Sequence, residues 1–89
     1  MIERELLVVN RLGLHARASA KLVQTLAPFD VRMMLSHRGR EINAKSIMGL
    51  MMLAAAKGSS IGVRADGPDA QAAVDALERL FADRFGEGE

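Results

Sequence analysis

The chain has 89 residues, 49% of them hydrophobic and 26% charged, with a formal net charge of +1. That length suits one compact domain with one core, so a deep substrate cavity is disfavoured and any chemistry belongs near the surface. The small net charge, with three Phe and no Tyr or Trp, argues against a nucleic-acid binder that neutralises phosphates and stacks on bases.

Cysteine is absent, which removes disulfides, thiolate metal sites and Cys nucleophiles together and fits a reducing compartment. The expected location is the cytoplasm. No stretch approaches the roughly 20 apolar residues needed to span a bilayer, and Glu3, Arg4 and Glu5 interrupt the apolar start of the chain, so neither a signal peptide nor a membrane anchor is expected.

In chain order, Ile2 to Val9 is aliphatic and β-branched and predicts a strand, followed by a polar loop at Asn10 to Gly13. Apolar residues at helical spacing, Leu22, Val23, Leu26 and Ala27, predict a helix over 16–27 that stops at Pro28. The alternation of Val31, Met33 and Leu35 predicts a strand over 30–36, with a turn at His37 to Arg40 and a short return strand at Glu41 to Asn43. Ser46 opens a short apolar helix, 47–55, ending near Lys57-Gly58. Ile61, Val63 and Ala65 mark a fourth strand over 60–66, broken by Gly67-Pro68. The stripe Ala70, Ala73, Val74, Leu77, Leu80 and Phe81 predicts an amphipathic helix from near Asp69, and a Gly/Glu-rich end over 86–89 is expected as a flexible tail.

The order is β-α-β-β-α-β-α in a single domain spanning 1–89. Alternating strands predict an antiparallel sheet with one face covered by three helices and the other open to water. This is an α+β, two-layer open-faced sandwich. Because the first helix must cross over the sheet, it leaves a gap for the last strand, giving the expected strand order 1-4-2-3.

His15 stands immediately before the first helical residue, at the N-cap. The first turn of a helix presents unpaired N–H groups and the positive end of the macrodipole, a ready anion site. A phosphate on the ring could reach the backbone N–H groups of Ala16 and Arg17. The same field disfavours the imidazolium, keeping a ring nitrogen available for attack, and Arg17 adds a forked donor array suited to phosphoryl oxygens. His is a poor N-cap, so folding preference does not explain it. On these local features alone, an idle surface histidine remains an alternative. His37, in a polar turn beside Arg38, reads as solvated surface.

Gly13-Leu14-His15-Ala16-Arg17 resembles the active-site motif of the HPr family, histidine-containing phosphocarriers of the phosphoenolpyruvate-dependent phosphotransferase system. Lys45-Ser46-Ile47-Met48-Gly49-Leu50-Met51 resembles the family's second motif, around its regulatory serine. The motif spacing, chain length and element order agree, so the resemblance covers essentially the whole chain. It implies that His15 accepts a phosphoryl group from enzyme I on Nδ1 and passes it to IIA-type proteins, with Arg17 stabilising the phosphohistidine. It also implies that Ser46 is the target of HPr kinase/phosphorylase where that enzyme exists. One departure is Ala18, which stands where many members carry Pro. Pro there mainly rigidifies the first turn, and the reaction is expected to survive.

Ser46 is a good N-cap, and without the resemblance that would be its whole role. Phosphorylation at a helix start is electrostatically tolerated, so its effect is expected on partner docking. Ile47, Met48, Met51 and Met52, with Leu50 and Leu53, cannot all be buried in a domain this small. Either the methionines fill the core or they form an adaptable partner surface. In the second case Ala16 and Ala20 extend the patch, while Arg17, Lys21, Lys45 and Lys57 form a basic rim that steers acidic partners.

The first reading, which the resemblance implies, is a stoichiometric carrier and not an enzyme, with neither a cofactor nor a tight metal site expected, since His15 and His37 have no partners at ligand spacing. A monomer is expected. A second reading makes it a regulatory binding module of a nitrogen-related branch, controlling partners through its phosphorylation state. A third makes it a structural domain with an idle histidine.

Overall fold

The computed structural model describes residues 1–53 and 55–88. Strand β1 (Ile2–Leu7) is followed by α1 (Ala16–Leu26), β2 (Arg32–His37), β3 (Arg40–Asn43), α2 (Ile47–Leu53), β4 (Ser60–Asp66) and α3 (Ala70–Ala82), and a 3-10 turn at Arg84–Gly86 follows. The strands form one antiparallel sheet in the order β1-β4-β2-β3. The expected architecture and strand order both hold.

Alternation explains why one face is covered. In β4, Ile61, Val63 and Ala65 are buried while Ser60, Arg64 and Asp66 are exposed, as a period of two requires when one face meets a core. Opposite them, Leu22 and Leu26 of α1, Leu50 and Leu53 of α2, and Ala73, Val74, Leu77 and Phe81 of α3 complete the core. Burying one such aliphatic side chain contributes roughly 1.5–3 kcal/mol. The central strand β4 pairs on both edges, Ile2 to Leu7 on one side and Arg32 to Ser36 on the other. The N-terminal strand and the hairpin are thereby bound into one sheet.

Several boundaries differ from the sequence expectation. Val8 and Val9 lie outside β1, although Val8 still exchanges bonds with the segment before β4, donating to Ser59 at 2.9 Å and accepting from Gly58 at 2.8 Å. The hairpin turn is tighter than expected: only Arg38 (φ 52°) and Gly39 (φ 79°) link the strands, both left-handed as a two-residue turn requires. Its last β2 residue, His37, is half-buried with Nδ1 3.3 Å from the Ser60 carbonyl oxygen, where a solvated turn residue was expected.

The second helix was expected to run to Ala55, but α2 ends at Leu53 and Ala54 lies outside the described residues. Ala55 is not helical, and its carbonyl accepts the N–H of Leu14 at 3.0 Å, a bond that ties the loop before α1 to the segment after α2. Gly13 adopts φ +67° beside this contact, and a Cβ there would collide with the Ala55 carbonyl oxygen and lie 3.0 Å from the Ala56 Cα. Both neighbours are backbone and cannot yield cheaply. Gly13→Ala is therefore expected to lower stability by about 2 kcal/mol or more in urea denaturation, with left-handed strain and overlap acting together.

Candidate functional site

The loop between β1 and α1 is built to hold the start of the helix. Asn10 is completely buried, and its Nδ2 donates to the Gly13 carbonyl at 2.8 Å while the Gly13 N–H donates to the Asn10 carbonyl at 3.2 Å. Leu14 is buried in the core, and its N–H reaches Ala55. The chain therefore enters α1 along a fixed path. His15 occupies the N-cap with extended backbone (φ −80°, ψ −179°), and its carbonyl accepts the first helical bond, from Ser19 at 2.9 Å. Its side chain makes no capping bond to the helix, which leaves the first-turn N–H groups to a ligand or solvent.

An open cleft of about 620 Å³ surrounds the histidine, lined among others by Arg11, His15, Ala16, Arg17 and Lys21. His15, Ala16, Arg17 and Lys21 are thus brought together as the sequence suggested. Arg11 also lines this cleft, a cation the sequence reading did not single out. The His15 side chain is 28% exposed, enough for a reacting group to approach the ring.

The main addition is Glu87. Its Oε2 lies 2.5 Å from His15 Nε2, and its Oε1 accepts from Asn10 Nδ2 at 3.0 Å. Residues 86–88, expected to belong to a flexible tail, thus include a side chain that packs on the histidine. Two forces place it there. Phe85 is buried, its ring centroid 5.0 Å from that of Phe81. Lys21 Nζ donates to the Phe85 carbonyl at 2.7 Å. These contacts hold Arg84 and Phe85 in left-handed backbone (φ 54° each), a conformation that costs roughly 1–2 kcal/mol per residue.

Lys21 and Lys45, expected in the basic rim, both bind main chain: Lys45 Nζ donates to the Phe29 carbonyl at 2.9 Å beyond the end of α1. Lys57 is exposed. Ser46 Oγ accepts the Gly49 N–H at 3.1 Å, the N-cap role read from sequence. On α2, Leu50 and Leu53 face the core while Met48 is 76% exposed and Met52 57% exposed, with Ile47 and Met51 also open to solvent. The helical methionines are therefore surface residues, and Met33 of β2 is the one in the core. Helices α1 and α2 pack together, with Ala16 exposed and Ala20 half-buried on α1.

An open-faced antiparallel sandwich thus presents a histidine at an uncapped helix start, with an arginine on the same cleft. The family model described as PTS HPr component phosphorylation site matches residues 2–83. Phosphocarrier protein HPr of Xylella fastidiosa is 59% identical over 87 residues, covering 98% of both chains. The HPr of Cupriavidus necator is 55% identical over the full length of both. Among solved structures, HPr-C-His from Thermoanaerobacter tengcongensis superposes with a TM-score of 0.93 at 38% identity, covering 98% of each chain. The chain belongs to the HPr family, the phosphocarriers of the phosphotransferase system.

Burial alone would push the Glu87 carboxyl up, but hydrogen bonds from Asn10 and His15 and the charges of His15 and Lys21 outweigh it and hold the group below its ordinary value of 4.5. A carboxyl with a lowered folded-state value stabilises the fold fully above its unfolded value and loses that contribution as pH falls through the folded one. The docking of Glu87 is therefore expected to persist at neutral pH and to fail only below the ordinary glutamate range. The carboxyl 13C shift of Glu87, followed by NMR between pH 6 and about 2, checks this. Asn10→Ala is expected to move the midpoint upward.

Proposed function

We propose that the protein carries a phosphoryl group on Nδ1 of His15, taking it from enzyme I charged by phosphoenolpyruvate and passing it to IIA-type proteins. The observation that carries this reading is the uncapped start of α1, with His15 at the N-cap, its side chain free of capping duty, and Arg17 on the same cleft. The neutral ring attacks phosphorus, and the three phosphoryl oxygens meet the backbone N–H groups of Ala16 and Arg17 and the Arg17 guanidinium. Nothing in this scheme turns over a small molecule, so the protein acts as a stoichiometric carrier.

Docking is assigned to the exposed apolar side of α2, Ile47, Met48 and Met51, with Ala20 of α1 beside it. Flexible methionines let one surface fit both donor and acceptor. Lys21 and Lys45 keep their charges while bound to carbonyls, and so still draw acidic partners toward the site. The protein is expected to work as a cytoplasmic monomer, since a permanent self-interface would occupy the face that its partners need.

Ser46 supports a regulatory extension of the same reading. Its hydroxyl already accepts a helix N–H, and a phosphate placed there by an HPr kinase/phosphorylase would keep that favourable position while setting negative charge at the edge of the docking face. Ser46→Asp, which retains N-cap capacity, is expected to leave stability within about 0.5 kcal/mol and to weaken binding to enzyme I, as read by titration calorimetry.

The deciding experiment is incubation with enzyme I and phosphoenolpyruvate followed by intact mass spectrometry. One acid-labile, alkali-stable phosphate is expected on the wild type and none on His15→Ala. Arg17→Ala is expected to slow uptake about tenfold, the loss of roughly one charge-assisted hydrogen bond. A wild-type protein left unmodified would move the assignment to a binding module that acts without phosphotransfer.

A further inference from the structure

The phosphocarrier reading needs one particular ring nitrogen to hold a lone pair, and local sequence around His15 does not decide which. In a neutral imidazole one nitrogen carries the proton, and the hydrogen bond made by one nitrogen sets the state of the other. Glu87 settles the matter geometrically. Its Oε2 lies 2.5 Å from Nε2, and the carboxylate, being ionised, can only accept. The Nε2 atom is then the donor, and Nδ1 keeps the lone pair.

We propose that Glu87 is a positioning residue for phosphoryl transfer, fixing the His15 ring and its tautomer so that Nδ1 is the nucleophile. The proposal rests on the assignment of His15 Nδ1 as the phosphoryl acceptor. The arrangement has the logic of a histidine oriented by a half-buried carboxylate. In the transfer, the Nδ1 lone pair forms the N–P bond while the donor's bond to phosphorus breaks and its leaving atom keeps the electron pair. Nε2 retains its proton throughout, shared with Glu87, whose negative charge balances the positive charge the ring acquires. Attack through Nε2 would require displacing the carboxylate.

The carboxylate is itself held in place, which a passing surface contact would not be. Its side chain is only 15% exposed, its other oxygen accepts from the buried Asn10, and the turn before it is pinned by Phe85 in the core and by Lys21 on the Phe85 carbonyl. Asn10 thus bonds the loop that leads to His15 and the carboxylate that orients its ring, through one amide group.

Two variants and two readouts test this. In the free protein, the His15 Nε2–H proton is expected as a slowly exchanging signal in 15N-edited NMR near pH 8, present in the wild type and lost in Glu87→Ala. In single-turnover reactions with phosphorylated enzyme I, Glu87→Ala is expected to slow transfer roughly tenfold or more with little change in apparent donor affinity. Glu87→Gln, which keeps an acceptor without the charge, is expected to recover part of the loss. Transfer by Glu87→Ala at the wild-type rate or faster would overturn the proposal, as would survival of the protected ring proton in that variant. If the wild type takes up no phosphate, the carrier assignment falls and the positioning role with it; the NMR signal then still reports the contact, which separates that failure from the others.

Discussion

What His15 can reach is set by the path along which residues 10–14 enter α1, and that path is held by main-chain bonds to a distant segment and by a side-chain bond within the loop. Leu14 donates to Ala55, Val8 bonds with Ser59 and Gly58, and Asn10 closes the loop on Gly13. A histidine is a weak N-cap and would not by itself fix the helix start. The tertiary bonds do that instead, which releases the imidazole from structural duty. Gly13 belongs to the same constraint, because only a residue without a Cβ lets two stretches of backbone approach this closely.

The layered fold separates rigidity from contact. The sheet and the inward faces of three helices make the core, while the outward side of α2 remains apolar and exposed. On the proposed reading, in which successive partners dock on this face, a surface of flexible methionines next to a rigid helix start would allow different fits around one fixed point. Lys45 and Lys21 join the two functions: each ammonium bonds a carbonyl of the framework and still adds charge to the surface around α1.

Much of this was legible in the sequence because the signals were local or periodic. The two-residue alternation of Ile61, Val63 and Ala65, the stripe from Ala70 to Phe81, and the crossover required of α1 led to the observed sheet order. Histidine before a helix, followed by Arg17, marked a candidate site, and on those local features alone an idle surface histidine stayed open as the alternative. The hairpin boundary was a local miss, whereas the larger ones come from contacts distant in sequence. Glu87 lies 72 residues from His15 and 77 from Asn10, in a segment whose glycines read as tail. Phe85 was the available signal, a large apolar residue one turn beyond Phe81 that had to be buried somewhere. Likewise the bond that ties Leu14 to the Ala55 carbonyl joins segments far apart in the chain, and nothing in the residues after α2 announces it.

A carrier also has to avoid holding its cargo too well, and the exposure of this site bears on that. Helix-dipole interactions at accessible positions contribute roughly 0.3–1 kcal/mol, rising to about 2 in partly buried geometry, and an exposed arginine is screened by solvent and salt. On the proposed carrier reading, stabilisation of that size would favour a phosphorylated ring without trapping it, leaving transfer in either direction open to bias by whichever partner covers the cleft. Docking a protein on α2 and the start of α1 would exclude water from the same groups and strengthen each interaction. The free protein would then present a weak anion site and the complex a strong one, so that the chemistry is confined to the moment when donor or acceptor is in place.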